Sequence, residues 1–91
     1  MLRVEFTGRF KKDYKLAIKR GCDPNELEAV ITMLMNEHPL PEKYRDHSLA
    51  GEYRGFRECH IEPDWLLIYR IESDELELFL FRTGTHSDLF K

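Results

Sequence analysis

Three of the four histidines, His47, His60 and His86, lie in the second half of the chain among arginines and carboxylates. They stand in the segments RDHSL, RECHIEPDW and RTGTHSDLF. Histidine titrates near neutrality and serves as either base or acid. Arginine presents a fixed fork of donors that matches phosphate oxygens. An aromatic ring such as Phe90 is suited to stack on a splayed base. Together these are the groups that RNA strand cleavage by 2′-OH transesterification requires. One group takes the 2′-OH proton, another protonates the leaving 5′-oxygen, and a cation faces the phosphorane. No metal and no cofactor is signalled, because the histidines form neither an HxH nor an HExxH pattern.

Such a site needs elements that bring the residues together. LRVEF alternates and predicts a first strand. Thr7 is placed to cap a helix running to about Arg20, with Phe10, Tyr14, Ala17 and Ile18 on one face. Gly21 is a natural stop. Asp23, Pro24 and Glu26 then make a helix-start signal, and Leu27, Val30, Ile31 and Leu34 make the buried stripe. A loop with two prolines follows, HPLPEKYRDHSLAGEY. Beyond it the period changes to that of strands. YRGFRECHI and WLLIYRI flank a Pro63-containing turn and predict a hairpin. ELELFLFR predicts the last strand, with Leu76, Leu78 and Leu80 on one face and Glu75, Glu77, Phe79 and Phe81 on the other. The predicted order, β-α-α-β-β-β, is that of an α+β domain with two helices on one face of a mostly antiparallel sheet. Its other face is then open or covered by a partner. In a meander, the ends of alternate strands fall on one sheet edge. This places His60, Asp64, Arg82 and His86 in one pocket, with His47 entering from the loop. Trp65, Tyr69 and Phe81 are read as core.

Ninety-one residues, 42% hydrophobic and 34% charged, make one soluble domain spanning residues 1–91. The apolar runs are too short to cross a bilayer, and no leader or lipidation motif is read. Cys22 and Cys59 have no metal-ligand spacing and are read as free thiols in a reducing cytoplasm. The net charge of −3 alone argues against a nucleic-acid binder, but the charges are segregated. Seven basic and two acidic residues lie between Arg3 and Arg20, whereas residues 21–40 hold four acids and no Lys or Arg. Lys11, Lys15 and Lys19 recur at four-residue spacing on the first helix, a row of cations that is either a solvated face or a set of phosphate contacts.

The stretch KYRDHSLAGEYRGFRECHIEPDWLLIYRI followed by FRTGTHSDLF closely resembles the YafQ-type toxins of bacterial toxin–antitoxin systems, within the RelE/ParE superfamily. FKKDYKLAIKRG extends the resemblance into the first helix, so that it covers nearly the whole chain. The specific feature is the combination of D-H-x-L, H-[IV]-E-P-D-W and R-T-G-T-H. The resemblance implies a small α+β fold and a ribosome-dependent endoribonuclease that cuts mRNA in the decoding site. It implies a cognate antitoxin as partner. It also implies catalytic positions at His47, His60, Asp64 and His86, with His86 as general acid and the general base open among the other three. Arg82 becomes a phosphate ligand and Phe90 a substrate contact. The alternative is a non-nuclease, ParE-like toxin that inhibits DNA gyrase on the same fold. Two features depart from a basic, RNA-bound enzyme: the mildly acidic net charge, and Asp88, placed between His86 and Phe90 where it would act on the imidazole or repel RNA.

Overall fold

The computed structural model describes residues 1–90. Strand β1 (Arg3–Phe6) leads into helices α1 (Gly8–Lys19) and α2 (Pro24–Met35). The sheet continues through β2 (His47–Ser48), β3 (Arg57–Glu62), β4 (Trp65–Glu72) and β5 (Glu77–Gly84), and a short helix α3 (His86–Leu89) follows. The strand order is β1-β5-β4-β3-β2, with β1 parallel to β5 and every other pair antiparallel.

Local chemistry fixes the helix ends. Thr7 Oγ1 accepts from the Phe10 amide at 2.8 Å and donates to the Phe81 carbonyl at 2.8 Å, tying the start of α1 to β5. Asp23 accepts from the Asn25 amide, and Pro24 occupies the first turn of α2. Phe10 and Ala17 of α1 and Leu27, Val30 and Leu34 of α2 bury themselves on one sheet face. There they meet Cys59, Ile61, Trp65, Leu67, Tyr69, Leu78 and Leu80. Trp65 donates its indole N–H to Thr83 Oγ1 at 2.9 Å, so the buried ring keeps its polar atom satisfied.

Four details differ from the expectations. The opposite sheet face is covered in part by the protein itself: Leu66, Ile68 and Leu89 pack there with Leu49, Tyr53, Phe56 and Phe81. The segment before β3 contributes this cover through a turn at Gly51–Tyr53, which is why β3 starts only at Arg57. His47 and Ser48 form a two-residue edge strand rather than a loop. Leu76 is not part of the inward row. It adopts φ 55° in the β4–β5 turn and is exposed. Finally, a register shift pairs Ile68 with Arg82 but Tyr69 with Leu80, leaving Phe81 as the extra residue of a bulge. Strict alternation from Leu78 would have aimed Arg82 into the helix-covered core; after the bulge, Thr83 takes that buried place.

Candidate active site

The hairpin between β3 and β4 turns at Pro63 and Asp64, next to the start of α3. Asp64 Oδ1 accepts from the His86 backbone amide at 2.9 Å and from His86 Nδ1 at 2.7 Å. These bonds from the His86 amide and then its ring hold the Asp64 carboxyl below the usual carboxylate range. With Nδ1 committed as a donor, the other ring nitrogen, Nε2, is left for chemistry. The His86 side chain is 54% exposed, so a substrate can reach it. The His60 ring lies 5.6 Å from that of His86, and the His47 ring lies 6.3 Å from His60. His60 therefore links the three imidazoles into a row; its approach to His86 follows the order of strand ends, and His47 joins from β2.

Each histidine is anchored differently. His60 sits on β3 and directs Nδ1 at the Pro63 carbonyl, 3.3 Å away. His47 directs Nδ1 at the Arg45 carbonyl, 2.8 Å away. Arg45 itself is in the left-handed region at φ 48°, an uncommon place for a residue with a side chain. The neighbouring Asp46 holds this segment to the sheet. It accepts from Arg57 Nη2 at 3.0 Å and from the Tyr69 hydroxyl. Burial first, and then the Asp46 carboxylate, push the Tyr69 phenol well above its usual range.

Behind the row stands Glu58, a residue absent from the sequence reading. Its side chain is only 6% exposed, and Oε1 lies 3.4 Å from His47 Nε2 and 3.5 Å from His60 Nε2. The signal was present. Glu58 is two residues before His60, so a strand puts both on one face. His47 is directly opposite Glu58 in the β2–β3 register.

Helix α3 is held by its own chemistry. Thr85 and Asp88 form a capping box, with the Asp88 amide donating to Thr85 Oγ1 and the Thr85 amide donating to Asp88 Oδ2. Arg20 at the end of α1 donates to Asp88 at 2.6 Å. Arg20, and then the Thr85 amide, hold the Asp88 carboxyl down at about 2. Asp88 is thus engaged with Arg20 and Thr85 and not with the His86 imidazole, contrary to the expectation from its place in the chain. A Cβ at Gly84 would stand 2.9 Å from Asp88 Oδ2, so glycine is what lets the end of β5 lie under this helix.

Phe90 closes the short helix that His86 opens, its amide donating to the His86 carbonyl at 2.8 Å, whereas Arg82 is engaged from α1. Arg82 donates through Nε at 2.7 Å and Nη2 at 3.1 Å to the two oxygens of Asp13 on α1. Among the described residues, no hydrogen bond or ion pair joins Arg82 to the histidines. Phe90 is 41% exposed and meets the Tyr53 ring edge-on at 5.5 Å. Lys11 and Lys15 flank an apolar groove of about 510 Å³ between α1 and α2, floored by Phe10, Tyr14, Leu27 and Ile31. Lys19 continues the same row at the end of α1. A second cleft of about 560 Å³, of mixed lining, has His60 in its wall, with Lys43, Tyr44 and Arg45 and also Glu26 and Glu62. Among the described residues, no group of three or more His, Cys, Asp or Glu side chains converges tightly enough to hold a metal ion. No described helix is long and apolar enough to cross a membrane.

The chain is similar to characterised proteins along its length. It is 49% identical over 88 residues to the mRNA interferase toxin YafQ of Escherichia coli (strain K12), covering 96% of this chain and 94% of that one. The toxin in the E. coli DinJ–YafQ toxin–antitoxin complex is 46% identical and superposes with a TM-score of 0.88, over 99% of this chain and 98% of that one. A metal-bound toxin from Helicobacter pylori is 48% identical and superposes with a TM-score of 0.93, over 99% of this chain and 100% of the other. Residues 2–91 match the family described as the bacterial toxin of type II toxin–antitoxin system, YafQ. This chain, with its three histidines on a three-helix, five-strand scaffold, belongs to that family of toxins.

Proposed function

We propose that the protein is an mRNA interferase, an endoribonuclease that cuts ribosome-bound mRNA in the decoding site. The cut proceeds by attack of the ribose 2′-OH and needs no metal ion. The observation that carries this reading is the His86–Asp64 pair. Asp64 accepts a hydrogen bond from Nδ1–H and leaves Nε2 of a half-exposed ring to carry the proton that a general acid delivers to a leaving 5′-oxygen. Asp64 is occupied as the acceptor for His86, and the neighbouring cluster of His47, Glu58 and His60, in which Glu58 Oε1 approaches Nε2 of both rings, is the group that would take the 2′-OH proton. The two rings stand 6.3 Å apart, with His60 next to His86, and the cleft that borders His60 offers Lys43 and Arg45 to an RNA strand although Glu26 and Glu62 share its wall. Phe90, exposed next to Tyr53, is placed to stack on a base near the cut. A toxin that inhibits gyrase by binding alone would have no use for this proton-transfer pair.

The toxin's partners on this reading are a cognate antitoxin, as the DinJ–YafQ complex suggests, and the ribosome with its mRNA, which places it in the cytoplasm. Lys11, Lys15 and Lys19 line one side of α1 and, among the described residues, make no ion pair. They remain available to phosphates of ribosomal RNA. Replacing all three with glutamine is expected to weaken ribosome binding and flatten its salt dependence, since each lost phosphate contact removes about 0.7–0.9 from the log–log slope. The test is a binding series over ionic strength, with cleavage followed in parallel after chelation of metals beyond those the ribosome requires. Binding identical to the parent at every salt concentration would move the docking face elsewhere. A need for added zinc or manganese, acting on the toxin, would overturn the metal-free mechanism.

A further inference from the structure

An RNA strand beside the histidines needs a cation for its phosphates, and the fold commits most of its arginines elsewhere. Arg3, Arg20, Arg57, Arg70 and Arg82 pair with Glu77, Asp88, Asp46, Glu72 and Asp13. Arg82 has both Nε and Nη2 on Asp13 and is only 12% exposed. Of the cations that make no ion pair among the described residues, Lys43 and Arg45 line the cleft that has His60 in its wall.

The backbone of Arg45 is fastened to the site. Its amide donates to the Glu42 carbonyl at 3.0 Å and closes the single turn Glu42–Tyr44. Its carbonyl accepts from His47 Nδ1 at 2.8 Å. Asp46, next in the chain, is held by Arg57 and the Tyr69 hydroxyl. These contacts keep Arg45 at φ 48° in the left-handed region. Such conformations persist where the surroundings over-determine them, and they gather at functional sites. The side chain is exposed and borders the same cleft as His60. Lys43 is the weaker candidate. Its ammonium lies 5.1 Å from the centre of the Tyr44 ring, and it lacks the planar fork that matches two phosphate oxygens at once. Glu26 of α2 and Glu62 of β3 repel a phosphate from their part of the cleft and leave it the Arg45 side. His86 does not line this cleft, so a phosphate held there neighbours the one that is cut.

We propose that Arg45 is a substrate-binding residue: its guanidinium holds a backbone phosphate flanking the cut and keeps the RNA strand against His60. The proposal rests on the nuclease reading above for the place of the cut. The phosphate contact itself is measurable without cleavage.

The test has two arms. In the first, the free, full-length toxin binds a labelled single-stranded oligoribonucleotide with 2′-O-methyl groups, which 2′-OH attack cannot cut, over a salt series. Arg45→Gln is expected to bind about tenfold more weakly at low salt, the lower end for hydrogen bonds to a charged group. Its log–log salt slope should be shallower by about 0.7, the share of one phosphate on a single strand. Arg45→Lys should keep the slope, since it keeps the charge, and recover only part of the affinity. The His47 ring signals in 1H–15N spectra should match the parent in both variants, because His47 is held by the backbone of residue 45. In the second arm, mRNAs carrying one neutral methylphosphonate beside the cut are cleaved on programmed ribosomes. The methylphosphonate that slows the parent should have little further effect on Arg45→Gln, since both changes remove the same contact. Parent-like affinity and slope in Arg45→Gln would overturn the proposal, as would a parent that holds no oligonucleotide at low salt. Altered His47 signals would overturn it too, by making the loss a structural one, and so would additive losses at every methylphosphonate position. If the parent leaves ribosome-bound mRNA uncut while the first arm turns out as expected, the nuclease reading falls and Arg45 stands as a phosphate ligand.

Discussion

Arg82 was expected to bind phosphate, yet the fold gives it a structural partner, and the two roles are separable by a double-mutant cycle with Asp13. Their side chains are only 12% and 13% exposed. Asp13 also accepts from the Thr83 amide at 3.2 Å, so its carboxylate joins α1 to the end of β5 by three bonds. Removing one member of a fully buried pair costs about 3–5 kcal/mol. This pair keeps some contact with water, which brings the expectation for Asp13→Ala to about 2–3 kcal/mol. At about 4–8 °C per kcal/mol for a domain of this size, the melting temperature falls by about 10–20 °C. Arg82→Ala should cost a similar amount. The double variant should be little worse than either single one, giving a coupling of about 2 kcal/mol. Urea and thermal unfolding of the four proteins measure it, and ribosomal cleavage is assayed where all four are folded. A coupling below about 0.5 kcal/mol, with Arg82→Ala as stable as the parent but inactive, would refute the structural role and return Arg82 to the substrate.

Two further outcomes follow from the way α3 is held. The Asp88 carboxyl is lowered from 3.8 to about 2 by Arg20, so its contribution to stability is present above about pH 4 and is lost as pH falls through about 2. Amide NMR signals of Thr85 and His86 should titrate near pH 2 in the parent and closer to pH 4 in Arg20→Ala; identical midpoints would show that Arg20 does not set this contact. Gly84→Ala places a methyl 2.9 Å from Asp88 Oδ2 and should displace α3, and His86 with it. Cleavage should drop at least about tenfold, since small misplacements of reacting groups are costly, while the core monitored by Trp65 fluorescence stays native. Undiminished cleavage would mean that α3 tolerates the shift.

Much of the architecture was legible because its signals are local. Thr7, Asp23 with Pro24, and Gly21 each act through their own backbone neighbours, so both helices could be bounded from the chain alone. The convergence of His60, Asp64 and His86 followed from the alternation of strand ends in a meander. What stayed hidden depends on pairings between distant segments. The two residues of β2 are too few to show a period, and their strand character comes from Glu58 and Arg57 across the sheet. The role of Glu58 was masked because a carboxylate in a strand ordinarily faces water. The bulge at Phe81 shifts the alternation by one residue, so that Thr83 and not Arg82 continues the buried row, and nothing in FLFRTGT marks it. The cover over the second sheet face combines Leu49, Tyr53 and Phe56 with Leu89, some 33 to 40 positions apart, a juxtaposition no window of sequence reveals. Asp88 read as an intruder near His86, whereas T-H-S-D is a capping box that turns the carboxylate back to Thr85 and onto Arg20.

The central claim is that this histidine row cuts RNA by 2′-OH attack with His86 as the general acid. End-group analysis of mRNA cut on programmed ribosomes tests it most directly, with the parent and His86→Ala compared at equal folded concentration. The account predicts a 2′,3′-cyclic phosphate on the upstream fragment and a 5′-hydroxyl on the downstream one. It also predicts a rate about 10²–10⁴ lower for His86→Ala, the usual worth of general acid–base catalysis. A 3′-hydroxyl at the initial cut, or full activity in folded His86→Ala, would contradict it.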